Sequence, residues 1–159
     1  MKRTSEKQRE IAERLSADVV GQQHAIAEVA EQIAKWQDEP APRFPLRLLF
    51  AGPSSVGKQL LASRIADTFF SGRFVVHSWL GGAGPLGRNR QLRTMGPGPL
   101  VLFFKLFDFS AHEMAAVEAL LATGGIILGN GQSMSLADSI VILSASDEFS
   151  AELDRKSVV

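Results

Sequence analysis

The chain has 159 residues, 45% hydrophobic and 21% charged, with a formal net charge of zero, which suits one globular domain with a real core. The absence of cysteine excludes disulfides, thiolate catalysis and cysteine-ligated metals, and the three histidines (His24, His77, His112) stand in no metal-ligand spacing. The polar start MKRTSEKQRE is no signal peptide and runs such as LVLFF at 100–104 are too short to span a bilayer, so a cytoplasmic protein with no membrane segment is expected.

Residues 5–15, SEKQREIAERL, predict a short polar helix with Ser5 near its cap. From Gln22 to Trp36 the apolar positions Ala25, Ile26, Val29, Ala30, Ile33 and Ala34 recur at helical spacing with one buried face. QDEPAPRFP at 37–45 is a proline-rich linker. Leu46–Ala51 is an apolar run broken only by Arg47 and reads as a buried strand of a parallel sheet. A helix is predicted from Lys58 to Phe70 and a second strand from Phe74 to Trp79. Gly81–Pro99, with six glycines and three prolines, must be loop, with room for a helical turn at Gln91–Met95.

Pro99–Phe107 opens a strongly apolar strand, in which alternation puts positions 103, 105, 107 and 109 on one face and 104, 106 and 108 on the other. Ala111–Ala122 predicts a helix, Ile126–Leu128 and Ser133–Leu136 a small hairpin, Ser139–Ser144 a last buried strand, and Asp147 onward a short helix or frayed tail. Strands alternating with helices give an α/β domain with a mainly parallel sheet flanked by helices, whose ligand edge is the one beyond the strand C-termini. The expected organisation is an N-terminal helix at 1–18, an α/β core at 19–150 and a tail at 151–159.

Charge is unevenly placed. Between Asp67 and Asp108 there is no acid, while Arg73, Arg88, Arg90, Arg93 and Lys105 fall in that stretch. A local anionic partner and a solvated loop with scattered arginines are both open readings of it.

AGPSSVGKQL at 51–60 carries the chemistry. Gly52, Gly57 and Lys58 have the spacing of a phosphate-binding loop, after a predicted strand and at the start of a predicted helix. Glycines let backbone N–H groups turn around a phosphate, the helix N-terminus adds partial positive charge, and the lysine reaches the outer phosphates. The next position should be Ser or Thr, whose hydroxyl holds magnesium; here it is Gln59, a longer and weaker ligand for a hard cation.

VVGQ…A at 19–25, GPSSVGK at 52–58 and the LLASRIADTFF helix together resemble the Clp-type branch of the AAA+ ATPases. VLFFKLFDFSAH at 101–112 and LLATGGIILGNGQSMSLADSIVILSASD at 120–147 extend the likeness over about residues 17–150. The resemblance implies a P-loop NTPase-like AAA+ core, here without the helical lid that would follow. It implies a nucleotide site made by Val19 and Val20 at the base and by Gly52, Pro53, Ser54, Ser55, Val56, Gly57, Lys58 and Gln59 at the phosphates.

The family's working residues are mostly replaced. Its strand-end acidic pair falls on Lys105 and Leu106, its γ-phosphate sensor on Asp147, and its aromatic pore loop on Gly84-Pro85-Leu86-Gly87. Neither Asp108 nor Arg155 takes over a catalytic role, so no catalytic residue and no metal ligand is assigned. Gln59 alone decides little, because other AAA+ branches also depart from Ser/Thr there. An exposed apolar patch, normally covered by a neighbouring subunit or lid, is also expected. The implied protein is a degenerate AAA+ domain, a pseudo-ATPase serving as a non-hydrolysing scaffold, regulator or assembly partner in a protein complex. Its ligand is ATP or ADP, without magnesium. Its partner is a protein, such as an AAA+ ATPase or a secretion or chaperone component. Two alternatives stand beside it: a partner-activated ATPase using Lys58, and a nucleic-acid-binding module using the basic 73–105 segment.

Overall fold

A computed structural model describes residues 2–16, 23–39, 44–50, 55–78, 89–106, 111–128 and 131–145. In chain order the elements are α1 (Lys2–Ser16), α2 (Gln23–Gln37), β1 (Leu46–Phe50), α3 (Ser55–Phe69), β2 (Phe74–Ser78), α4 (Arg90–Met95), β3 (Val101–Leu106), α5 (Ala111–Thr123), β4 (Gly125–Ile127), β5 (Ser133–Ser135) and β6 (Ile140–Ala145).

The four long strands form one parallel sheet in the order β1-β6-β3-β2. The chain steps from β1 out to the β2 edge, then returns through β3 to β6. These opposite directions place the connections on opposite faces, since right-handed crossovers allow no other arrangement. Leu48, Phe50, Val101, Phe103, Ile140 and Ile142 accordingly pack in one layer with α1, α2 and α3. Val75, Leu102, Phe104, Val141 and Leu143 pack in the other, with Leu92 of α4, Val117 of α5, and Leu128, Met134 and Leu136 of the hairpin region. The alternation predicted for β3 is observed: Phe103 and Phe104 are both buried, in opposite layers.

Three expectations change. The first helix starts at Lys2, so Ser5 lies inside it and does not cap it. Lys, Arg and Glu are good helix formers and carry the helix past the residue with cap chemistry. That helix is also not simply polar, because Ile11 and Leu15 enter the core layer shared with α2 and α3. The third helix begins at Ser55, three residues before the predicted start at Lys58, and so takes in the end of the phosphate-loop motif. The hairpin pairs Gly125 with Ser135, Ile126 with Met134 and Ile127 with Ser133, leaving Leu128 and Leu136 outside its strands.

Trp36 is a core residue, and its indole N–H donates to the Phe44 carbonyl at 2.9 Å. The predicted tail beyond Asp147, together with Trp79, lies outside the described residues. Among the described residues, the exposed large hydrophobics are Phe44, Leu60 and Ile127, on three different parts of the chain. No described helix is long and apolar enough to cross a membrane.

Candidate functional site

The ligand edge of a parallel sheet lies beyond the strand C-termini, where neighbouring strands send their connections to opposite faces. Here β1 leads to α3 on one face and β3 leads toward α5 on the other, with β6 between them. The phosphate-loop motif departs from the end of β1. Gly52, Pro53 and Ser54 lie outside the described residues, as do Val19 and Val20. Ser55, Val56, Gly57 and Lys58 form the first turn of α3, and Gln59 follows. Gly57, Lys58 and Gln59 are half-buried. The first turn of a helix leaves its N–H groups without intrahelical partners and carries partial positive charge.

Strand register supplies the floor. Phe50 pairs with Ser144, Ser144 with Lys105, and Lys105 with Ser78, giving one transverse row at the C-terminal ends of all four strands. Register partners in a parallel sheet share a face. Phe50, and the residues two positions before Ser144 and Lys105 (Ile142 and Phe103), all belong to the α3 layer. Lys105 therefore projects on the face that α3 covers, two strand spacings (about 10 Å) from the end of β1. It is half-buried and makes no hydrogen bond or ion pair among the described residues. Leu106 ends the strand. The position onto which the sequence resemblance places a metal-binding carboxylate thus carries a lysine on the α3 face. Among the described residues, no group of three His, Asp or Glu side chains could hold a metal ion. Asp108, Asp147, Arg155 and the Gly84–Gly87 stretch lie outside the described residues.

Gln59 also lines an open groove of about 400 Å³ with Leu60, Ser63 and Phe74. Phe74 begins β2, so this groove sits on the flank of α3 and away from the strand C-termini.

The basic segment divides once its side chains are placed. Arg73 is not available to an anion: its guanidinium donates to the carbonyls of Pro99 (3.0 Å), Met95 (3.3 Å) and Gly96 (2.7 Å). Arg90 and Arg93 are exposed on α4, and Arg88 lies outside the described residues. Sequence reasoning did not find this brace, or the network at the other end of α4. There Asn89 caps the helix through Oδ1, which accepts from the Leu92 N–H at 3.1 Å. Its Nδ2 donates to the Val76 carbonyl at 3.3 Å and lies 2.9 Å from His77 Nδ1. An asparagine just before the predicted turn at Gln91–Met95 is a cap signal, and it was the one available clue.

No protein-family model and no curated protein sequence matches the chain. Among solved structures, the S. cerevisiae Hsp104–ADP complex is similar, with a TM-score of 0.68 and 24% identity. The match covers 98% of this chain and 31% of that one, so the chain spans about a third of the length of the protein it resembles. The likeness, taken with the sheet order and the two helical layers, shows the fold: a mainly parallel, helix-flanked α/β core of the AAA+ P-loop type.

Proposed function

We propose that this protein holds the phosphates of ATP or ADP without hydrolysing them, and works as a scaffold, regulator or assembly partner in a protein complex. The observation that carries the proposal is the transverse row Phe50–Ser144–Lys105–Ser78. At the end of β3, where hydrolysis would need a carboxylate to hold magnesium and orient water, the α3 face carries an ammonium group. A fixed cation there offsets phosphate charge, as a metal would, but cannot polarise water or be exchanged. Lys58, in the first turn of α3, supplies the second positive charge. The donor set does not fit magnesium: Gln59 offers an amide where a hydroxyl is wanted, and Lys105 repels a cation. The partner in this reading is a protein, such as an AAA+ ATPase or a chaperone or secretion component.

The test is titration calorimetry with ADP and ATP, with and without magnesium, on wild type, Lys58→Ala and Lys105→Ala, alongside steady-state hydrolysis. Binding that weakens at least about tenfold in each variant and does not change with magnesium is expected. Hydrolysis abolished by Lys58→Ala would refute the proposal. It would favour a second reading, a partner-activated ATPase, which the half-buried position of Lys58 also suits. A nucleic-acid module is disfavoured by Arg73, whose charge is committed to three backbone carbonyls.

A further inference from the structure

Among the described residues β2 is an edge strand, paired on one side with β3. Edge strands present main-chain donors and acceptors that another strand can capture, and proteins cover them. Here the cover is made of side-chain amides. The Val76 N–H donates to Gln91 Oε1 at 3.3 Å, and the Val76 carbonyl accepts from Asn89 Nδ2 at 3.3 Å. Both side chains belong to α4 or its cap, so the six-residue helix is held along the edge. Arg73 pins its C-terminal end through the carbonyls of Met95 and Gly96, and buried Leu92 anchors its middle.

The orientation of the Asn89 amide is fixed by chemistry. Oδ1 faces a backbone N–H, that of Leu92, which can only donate. Nδ2 faces a backbone carbonyl, that of Val76, which can only accept. The same Nδ2 meets His77 Nδ1 at 2.9 Å, so this ring nitrogen must be the acceptor. His77 is therefore neutral, with its proton on Nε2. It is 2% exposed and lies edge-on to Phe104, with ring centroids 6.0 Å apart.

We propose that His77 and Asn89 form a proton-sensitive latch that holds α4 over the free edge of β2. Protonation of His77 puts a hydrogen on Nδ1, directed at the Asn89 NH₂, and two donors then face each other. The amide can relieve this only by turning, which costs both the Leu92 cap and the Val76 carbonyl bond. Either way α4 loses the Asn89 bonds and is held at its start by the single long Gln91 bond to the Val76 N–H, so the cover over the β2 edge opens more readily. The sign follows from proton counting. The unfolded chain takes up a proton at His77 below about pH 6.5, whereas the latched state refuses it, so the latch weakens as pH falls through that region.

The charged described groups on the surrounding elements are few. Arg90 and Arg93 of α4 and Glu118 of α5 are exposed. Arg73 is bound to carbonyls, and Lys105 of β3 lies on the opposite face of the sheet.

The test is nuclear magnetic resonance on the full chain from about pH 8 to about pH 5, following the His77 ring nitrogens and the exchange of the Leu92 and Val76 amides. Above the transition the Nε2–H tautomer is expected. Through the His77 titration both amides should lose about tenfold or more of their protection, corrected for intrinsic rates, while Phe103 and Phe104 keep theirs. In His77→Gln, a neutral acceptor at the same place, this loss should vanish. In Asn89→Ala the two amides should be poorly protected at every pH, which keeps the test decisive if His77→Gln does not fold. The latch is refuted by an Nδ1–H tautomer at neutral pH, by wild-type Leu92 protection that ignores the titration, or by the same pH response in His77→Gln. Failure of His77 to titrate before the β3 amides open also refutes it.

Discussion

Arg73→Ala separates a structural arginine from an anion-binding one. The guanidinium makes three hydrogen bonds, and they are not equal. The bond to Gly96 at 2.7 Å is short and half-buried, the bond to Met95 at 3.3 Å is long, and the bond to Pro99 at 3.0 Å is exposed. A hydrogen bond from a charged donor contributes about 1.5–3 kcal/mol when water cannot replace it, so the first counts fully, the second partly and the third hardly at all. The substitution should cost about 2–4 kcal/mol, a large share of the stability of a domain this size. Urea unfolding followed by tryptophan fluorescence would then show a midpoint lower by about 1–2 M. Arg73→Lys keeps the charge but presents no fork, and should recover less than half of the loss. Binding to a polyanion such as heparin should be the same in all three proteins once folded. A loss below about 0.5 kcal/mol together with weaker polyanion binding would overturn the reasoning and restore Arg73 to the basic surface.

Two further substitutions test the packing around it. Gly98 has φ +140°, and an added Cβ would lie 3.0 Å from Arg73 Nη2, so Gly98→Ala strains the backbone and displaces the guanidinium together. It should cost about 1–3 kcal/mol by urea unfolding, and less in an Arg73→Ala background, where the clash with the guanidinium is gone and only the backbone strain remains. Leu15 of α1 is fully buried, so Leu15→Ala should destabilise by about 2–5 kcal/mol, where a surface helix would lose less than about 0.5.

The central sheet was legible because it is buried on both sides. Apolar runs at 101–104 and 140–143 could only be interior strands, the run at 46–50 was readable as a strand despite Arg47, and period-two alternation assigned Phe103 and Phe104 to opposite layers. The brace at Arg73 was not legible, because its partners are main-chain carbonyls 22 to 26 positions away, and a carbonyl leaves no mark in sequence. The same holds for Asn89, whose cap chemistry could be read but whose bonds to Val76 and His77 depend on sheet placement. Of the candidate site, sequence located the strand and the helix, and its third-helix start was late by one turn because glycine and serine argue locally for loop. The shared face of Lys105 and α3 followed only from register.

The position of β6 has a consequence for how the chain acquires its structure. Among the described residues, β6 is the only strand that β1 pairs with, and it also lies beside β3. Leu46 therefore waits for Ile140. Closing a loop of roughly 90 residues costs about 4 kcal/mol before any contact repays it, and high contact order slows the search. During synthesis, β1 leaves the ribosome long before its partner exists, with an apolar strand and no ladder to join. The β2–β3 pair and the α1–α2 pair can form early, but the sheet becomes continuous only when the 140–145 segment enters it. Chains interrupted before that point should be aggregation-prone and should not form a smaller native sheet.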